Sequence, residues 1–336
     1  RVLLAELGLP FVRDSRSWTV ADADVLKLNP CLRVPALEAP RSDGGTQLLL
    51  DSRIIAAFLY AQPGRSAPTL PAGEPAVAPT LFDERTRWDD ENALSILDAA
   101  QDSLIYPAPR ETVVVPAGYR QVETHSADGL TLAALFRPPA AGRKTVVFFH
   151  GNGDGWQGAA AANRLVAAAG YGVMLVEYRG YGDNPGHPDE PGFYADGRAA
   201  LAWLAGQGIA ADQVVLVGNS IGSGAATQLA SETRPAGPAI VSGFTSLPDV
   251  VAAKVSWAPA RWMVRGSFDN RAKLGRIKAP VLVLHGLADT MIGPGHARTL
   301  AAAHPGARLV LVPGYGHELA YQDAAQRVLL DWIGGL

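Results

Sequence analysis

The stretch VVLVGNSIGSG at residues 214–224 decides the fold of this chain. Its first four residues are apolar and predict a buried strand, while the small residues from Ile221 onward predict a helix. Between them lies a G-x-S-x-G pentapeptide at 218–222, with Ser220 at its centre. The two glycines permit a crowded turn that lifts the Ser220 hydroxyl above a sheet edge, beside the free N–H groups of the helix N-terminus. Taken alone, the pentapeptide fits an ordinary loop equally well.

Short apolar runs on both sides of this stretch alternate regularly with helical patterns. The predicted strands are 146–150, 173–178, 214–218, 281–285 and 309–312. The predicted helices are 157–169, 195–207, 221–232, 296–303 and 321–332. Such an alternation predicts an α/β fold in which helices cover both faces of a mostly parallel sheet.

A serine hydroxyl is a weak nucleophile until a base takes its proton, so a histidine and a carboxylate should follow Ser220. Asp289 comes shortly after the strand 281–285, and His317 comes after the last predicted strand. Taken singly, the aspartate fits a helix cap and the histidine a surface side chain. Together, the order Ser, Asp, His at strand ends predicts a catalytic triad, in which His317 accepts the serine proton and Asp289 orients the imidazole.

The sequence HGNG at 150–153 follows the first of these strands and supplies a second candidate element. Acyl transfer needs N–H donors for the oxyanion of its tetrahedral intermediate. We predict that these donors are the N–H groups of Ile221 and Asn152, with Gly153 as a neighbour. A simple tight turn is the alternative for this tetrapeptide.

Four residues are candidates for the substrate pocket. Gly151 and Asn219 adjoin the predicted donors and nucleophile, and Trp257 and Trp262 lie in the region 246–270 between strand elements. This region fits either a short cap over an acyl pocket or a helix that packs its aromatic side chains into the core. Its length favours small or flexible acyl groups over long lipids.

Residues from about 118 to 336 resemble serine hydrolases of the α/β-hydrolase fold. They are most similar to the compact BEM46-like or alpha/beta-hydrolase-domain-13-like group. The matching pieces are FFHGNG at 148–153, YRGYGDNPG at 178–186, GNSIGSG at 218–224, FTSLPDV at 244–250, APVLVLHGLAD at 279–289 and GYGHE at 314–318. The sequence departs from the group at Asp183, where glycine is usual, and at Gly153-Asp154.

This resemblance implies a hydrolase without a cofactor that acts on a small-molecule carboxylic ester through an acyl-enzyme. Alkoxides leave more easily than amines, so esters of short to medium acyl chains are the expected substrates. A thioesterase or an amidase or peptidase on the same triad is the alternative.

Residues 1–62 resemble the thioredoxin-like N-terminal domain of glutathione transferases. The matching pieces are RVLLAELGLPF at 1–11, NPCLRVPAL at 29–37 and LLLDSRIIAAFL at 48–59. The resemblance implies a cis proline at Pro35 and a glutathione-binding pair at Asp51 and Ser52, which also fit a helix cap. The family's first strand and its thiol-activating residue are missing, which argues against transferase activity. The open sheet edges favour a homodimer through this segment, and glutathione binding or an interaction role is the alternative function.

Prolines at 63, 68, 71, 75 and 79 predict an extended linker, and 83–106 has a helical pattern. We therefore expect three parts: a partial thioredoxin-like segment at 1–62, a linker with a helix at 63–105, and a hydrolase domain at 106–336.

Composition excludes several classes of function. Lys plus Arg is 29 and Asp plus Glu is 32, for a net charge of −3, so no strongly basic surface for nucleic acid is expected. The chain has one cysteine, Cys31, which fits a reducing compartment such as the cytoplasm. No apolar run is long enough for a membrane span, and no zinc-site spacing occurs, so neither a membrane span nor a metal is expected.

Overall fold

The structure is a computed structural model that describes residues 36–40, 46–50, 105–109, 114–254 and 266–336. The chain divides into two compact units, Arg1–Gln101 and Asp102–Leu336. The described residues of the first unit are two antiparallel strands, β1 (Ala36–Pro40) and β2 (Thr46–Leu50). The likeness of this unit to glutathione transferases stays a prediction. Outside the described residues lie Cys31, Pro35, Asp51, Ser52, the linker and nearly all of the predicted helix 83–106.

The second unit contains an eight-stranded sheet in the order β10-β9-β8-β7-β5-β6-β4-β3. Its strands are β3 (Arg120–His125), β4 (Thr131–Arg137), β5 (Thr145–Phe149), β6 (Gly172–Val176), β7 (Val214–Asn219), β8 (Gly237–Val241), β9 (Val281–Gly286) and β10 (Ala307–Val312). The pairs β3–β4 and β4–β6 are antiparallel, and the other pairs are parallel. The sheet is therefore mostly parallel, as the alternation predicts.

Helices lie between the strands. They are α1 (Trp156–Ala162), α2 (Arg164–Ala168), α3 (Glu190–Gly206), α4 (Gly222–Glu232), α5 (Leu247–Lys254), α6 (Asn270–Leu274), α7 (Gly295–Ala302) and α8 (Asp323–Gly334), with 3-10 helices at Ala211–Gln213 and His317–Tyr321. Among the described residues, no helix has both the length and the apolar character needed to cross a membrane.

The central strands are buried on both faces, which explains why they read as continuous apolar runs. In β5, Val147 and Phe149 pack into one layer of the core, while Val146 and Phe148 pack into the other. All five residues of β5 are buried, as are those of β6 and β8. Parallel strands held in this way bring their carboxyl ends to one edge of the sheet, where the candidate residues lie.

The structure differs from the predicted elements at several places. The predicted helix 157–169 is two helices, because the side chain of Asn163 donates to the carbonyl of Ala159 and interrupts the run. The strands β3, β4 and β8 were not predicted. β8 begins with Gly237 and Pro238, residue types that are depleted in strands.

Candidate active site

Ser220 occupies the sharp turn between β7 and α4. Its backbone φ is +53°, a left-handed value that is uncommon for a residue with a side chain. The turn is held by hydrogen bonds from the Ser220 N–H to the carbonyl of Val241 and from the Ser223 hydroxyl to the carbonyl of Ser220, at 2.9 and 2.5 Å. Such a conformation costs on the order of 1 kcal/mol and persists where its surroundings fix it.

The two glycines of the pentapeptide are required by close backbone contacts. A Cβ at Gly218 would lie 2.5 Å from the Cα of Ser223, so β7 and α4 meet without room for a side chain. A Cβ at Gly222 would lie 2.1 Å from the carbonyl oxygen of Phe149. The start of α4 therefore sits directly against the end of β5, next to the HGNG loop.

Ser220, His317 and Asp289 form a continuous chain of hydrogen bonds. His317 Nε2 lies 3.0 Å from Ser220 Oγ, and His317 Nδ1 lies 2.8 Å from Asp289 Oδ2. The Asp289 side chain is fully buried, whereas the His317 side chain is 23% exposed. The imidazole can thus be reached from solvent while its carboxylate partner cannot.

The loops that carry Asp289 and His317 are fastened to each other by backbone contacts. The N–H of Ala288 donates to the carbonyl of Tyr315 at 2.9 Å. A Cβ at Gly286 would lie 2.3 Å from that same carbonyl oxygen, so only glycine lets the two loops approach so closely. Residues close to Asp289 and His317 in sequence therefore set their spacing.

Asp289 is surrounded by donors. Its Oδ1 accepts the N–H groups of Met291 and Ile292 at 2.9 and 2.8 Å, and His285 Nε2 lies 3.3 Å from its Oδ2. Burial raises the pKa of Asp289, but the hydrogen bonds from His285, His317 and the Ile292 N–H outweigh burial and hold the pKa below its ordinary value. The carboxylate is therefore ionised at neutral pH.

His285 is a supporting residue that the sequence analysis did not single out. It is fully buried, and its Nε2 lies 2.8 Å from the carbonyl oxygen of Ile292 as well as near Asp289. Two acceptors at Nε2 assign the ring proton to that nitrogen, and Nδ1 has no partner among the described residues. Its position four residues before Asp289, at the end of β9, was the available signal.

The candidate oxyanion donors lie in the residue after Ser220 and in the HGNG loop, which approaches Ser220 at Gly151. The N–H groups of Ile221 and Asn152 donate to no acceptor among the described residues. The rest of Asn152 is bound: its side-chain Nδ2 donates to the carbonyl of Ile105 at 3.2 Å, and its own carbonyl accepts the Tyr181 hydroxyl at 3.0 Å. The loop is thus held in place while one N–H stays available.

A buried ion pair supports the start of this loop. His150 is fully buried, with Nε2 3.0 Å from Glu177 Oε1 and Nδ1 2.8 Å from the carbonyl oxygen of Gly151. Burial lowers the pKa of His150, but Glu177 and the other acceptors outweigh it and raise the pKa above the ordinary value. The Tyr178 hydroxyl donates to the His150 carbonyl at 3.0 Å. These side chains hold the backbone that enters the HGNG loop.

Asp154 supports the far end of the loop. Its Oδ2 accepts the Tyr321 hydroxyl at 2.7 Å, and its Oδ1 accepts the N–H of Gly155 at 2.8 Å. Burial raises the pKa of Tyr321. Tyr321 lies in the 3-10 helix that starts at His317, so this bond joins the two sides of the site. Asp154, a departure from the resembled group, has a structural partner here.

The remaining predicted residues lie at different depths. A Cβ at Gly151 would lie 3.7 Å from the Cβ of Ser220, so Gly151 adjoins the nucleophile, and Gly153 is exposed with nothing within 4 Å of its Cβ position. Asn219 is only 3% exposed, so its side chain lies below the surface. Trp257 and Trp262 lie outside the described residues.

No group of metal-binding side chains is placed to hold an ion within the part of the chain that the structure describes.

Comparisons with known proteins agree with this architecture. A family described as "alpha/beta hydrolase fold" matches residues 144–259. An uncharacterized protein of Mycobacterium tuberculosis is 35% identical over 250 residues, which are 71% of this chain and 88% of that protein. The protein bem46 of Schizosaccharomyces pombe is 28% identical over 223 residues, covering 60% of this chain and 74% of that protein.

Among solved structures, an esterase of Pyrococcus furiosus superposes with a TM-score of 0.54 at 18% identity, covering 68% of this chain and 95% of that one. This likeness concerns the fold alone. Together with the sequence relatives, it confirms the predicted fold and the likeness to BEM46-type proteins. The chain belongs to the α/β-hydrolase family.

Proposed function

We propose that this hydrolase cleaves carboxylic esters of short to medium acyl chains through a serine nucleophile. The observation that carries the proposal is the chain of hydrogen bonds from Ser220 through His317 to Asp289, at 3.0 and 2.8 Å. Acyl transfer by serine requires a nucleophile, a base and a carboxylate that orients the base, and Ser220, the partly exposed His317 and the buried, ionised Asp289 match these roles.

The reaction runs in two stages. Ser220 Oγ attacks the acyl carbonyl carbon while His317 Nε2 takes its proton, and Asp289 stabilises the imidazolium. The N–H groups of Ile221 and Asn152 donate to the oxyanion. His317 then gives the proton to the departing alkoxide, which leaves an acyl-serine. A water molecule, deprotonated by His317, attacks that ester, and collapse of the second intermediate returns Ser220 to its starting state.

The electrostatics favour this division of roles. The N–H groups of Ile221 and Asn152 have no acceptor among the described residues, which supports a role as oxyanion donors, and each such donor is worth about 3–4 kcal/mol to the transition state. Esters are preferred over amides because an alkoxide is a better leaving group than an amine. Thioesters react by the same steps and are the alternative substrate class.

The test is covalent labelling with a fluorophosphonate probe, followed by hydrolysis of p-nitrophenyl esters from acetate to palmitate. We expect the wild type to be labelled and to hydrolyse the shorter esters. Ser220→Ala should abolish labelling and lower kcat by at least about 10⁴-fold.

Ser242→Ala is the matched control. Ser242 also follows a strand and also has a left-handed φ, of +47°, but its hydroxyl has no partner among the described residues. We expect Ser242→Ala to react with the fluorophosphonate probe and to hydrolyse the p-nitrophenyl esters like the wild type. Equal labelling of Ser220→Ala and the wild type would contradict the proposed nucleophile.

A further inference from the structure

A short segment before the sheet reaches the candidate oxyanion loop. We call residues 105–109 the entry segment; it precedes β3 and lies close to the start of the second unit at Asp102. Tyr106 anchors it: the residue is 7% exposed, and its ring centroid lies 5.4 Å from that of Phe193 and 6.5 Å from that of Phe268. The segment is therefore packed into the core of the hydrolase.

The end of the entry segment is fixed by its backbone. The carbonyl of Pro109 accepts the N–H of Gly182 at 3.1 Å. Ala108 has a φ of +41°, which is uncommon for a residue with a side chain. A strained conformation of this kind persists only where the surroundings fix it, and such residues cluster at functional sites.

Two polar groups of Asn152, its side-chain Nδ2 and its backbone carbonyl, lead to this segment. The side-chain Nδ2 donates directly to the carbonyl of Ile105 at 3.2 Å. The Asn152 carbonyl accepts the Tyr181 hydroxyl at 3.0 Å, and the residue after Tyr181, Gly182, donates its N–H to the carbonyl of Pro109 at 3.1 Å. Tyr181 is fully buried, so this second connection is shielded from water.

The consequence concerns the backbone N–H of Asn152, which has no acceptor among the described residues. Fixing the side chain and the carbonyl of a residue leaves little freedom for its N–H. An oxyanion donor contributes only when it lies about 3 Å from the developing charge, and small displacements cost much of its effect.

We infer that the entry segment positions the Asn152 N–H for oxyanion stabilisation. It does so through the bond from Asn152 Nδ2 to Ile105, and through Tyr181, which bonds the Asn152 carbonyl while its neighbour Gly182 bonds Pro109. Ile105, Pro109 and Tyr181 are positioning residues, because they act through Asn152 and have no role in the reaction itself. This inference rests on the proposed function.

The test removes each connection separately in the full chain. Asn152→Ala deletes the Nδ2 but keeps the backbone N–H, and Tyr181→Phe deletes the hydroxyl but keeps the ring. Each variant should lower kcat by about tenfold, which is less than the roughly 10²-fold loss expected when a donor is removed outright. KM should stay within about twofold, because the donor acts in the transition state and not on the bound ester.

Tyr171→Phe is the matched control. The Tyr171 hydroxyl accepts a hydrogen bond from Arg143. Tyr171 immediately precedes β6, at the amino end of that strand, whereas Ser220 lies at the carboxyl end of β7. Its kcat should match that of the wild type. Unchanged kcat in both Asn152→Ala and Tyr181→Phe would overturn the inference, as would an equal fall in Tyr171→Phe.

A second readout separates this inference from the proposed function. We expect the amides of residues 151–154 to exchange hydrogen faster in Asn152→Ala and Tyr181→Phe than in the wild type and in Tyr171→Phe. If the wild type shows no Ser220-dependent hydrolysis, the proposed function fails, and exchange alone decides whether the entry segment holds the loop. Unchanged exchange in both variants would then overturn the positioning role.

Discussion

Asp289, at one end of the triad, has a partner for each carboxylate oxygen: the His317 ring and two backbone N–H groups form hydrogen bonds with it, and His285 Nε2 lies 3.3 Å away. By contrast, the candidate oxyanion donors, the N–H groups of Ile221 and Asn152, donate to no acceptor among the described residues. We call Asp289 and its partners the saturated side of the site, because each carboxylate oxygen accepts a hydrogen bond. We call the two free N–H groups the unsaturated side.

The difference follows from when each charge exists. The charge on Asp289 is permanent, so a buried carboxylate without partners would cost several kcal/mol, and the fold supplies donors in advance. The oxyanion exists only during the reaction. Donors that already bond a protein group would have to break that bond first, so free and rigidly held N–H groups stabilise the transition state best.

The largest effect should come from breaking the saturated side. Asp289→Asn removes the charge and presents an amide N–H or carbonyl to His317, which disfavours the tautomer that can accept the serine proton. We expect kcat/KM to fall by about 10⁴-fold near neutral pH. Asp331→Asn is the control, since Asp331 is an exposed carboxylate paired with Arg308, and it should leave the rate unchanged. A loss below tenfold in Asp289→Asn would contradict the role of Asp289.

The next largest effect should come from the ion pair beneath the donor loop. Glu177→Gln keeps the shape of the side chain but removes the charge that faces His150 at 3.0 Å. Breaking a buried pair costs about 3 kcal/mol of unfolding free energy, which urea denaturation measures. Glu232→Gln, which breaks a half-exposed pair with Arg198, should cost well under 1 kcal/mol.

The pH dependence of that loss has a definite sign. The pKa of His150 is raised in the folded state, so the pair contributes its full stability below the ordinary histidine pKa of 6.5 and loses it as the pH rises through the raised value. The difference in unfolding free energy between wild type and Glu177→Gln should therefore shrink towards alkaline pH. A difference that grows with pH would contradict a charged His150.

A third prediction concerns the close contact between Gly222, at the start of α4, and Phe149, at the end of β5. Gly222→Ala would place a Cβ 2.1 Å from the Phe149 carbonyl oxygen, and backbone on both sides cannot move aside. We expect a loss of about 2 kcal/mol in unfolding free energy and a lower kcat, because the start of α4 must shift away from the loop. Gly206→Ala is the control, since nothing lies within 4 Å of its Cβ position. Equal stability of the two variants would contradict this account.

Much of the fold could be predicted because buried parallel strands are continuous apolar runs. β8 could not, because a Cβ at its first residue, Gly237, would lie 2.7 Å from the carbonyl oxygen of Pro280. Close packing there selects a glycine, which masks the strand in the sequence. Strand propensity is judged from the residues of one segment alone, whereas the contact that selects Gly237 comes from Pro280 in another segment.

The residues of the candidate site could likewise be predicted from the sequence only in part. Ser220, Asp289 and His317 could be predicted to meet because each follows a strand whose carboxyl end lies at one edge. The supports of the donor loop could not, because no motif or order of residues marks His150 and Glu177 as partners, although they lie 3.0 Å apart in the structure. Only the packed structure brings such partners together, so sequence analysis finds the reacting groups more readily than the groups that hold them.

The smallest effect should come from the bond that joins the saturated and the unsaturated sides. Tyr321→Phe removes the hydroxyl that donates to Asp154 at 2.7 Å, and with it about 1 kcal/mol of stability. Asp154 keeps its bond to the Gly155 N–H, so the loop should loosen without unfolding, and kcat should fall by roughly threefold. Tyr315→Phe, in the same loop as His317 but without this bond, is the control. If the two variants have the same kcat, the donor loop does not depend on the His317 side, and the two regions act independently.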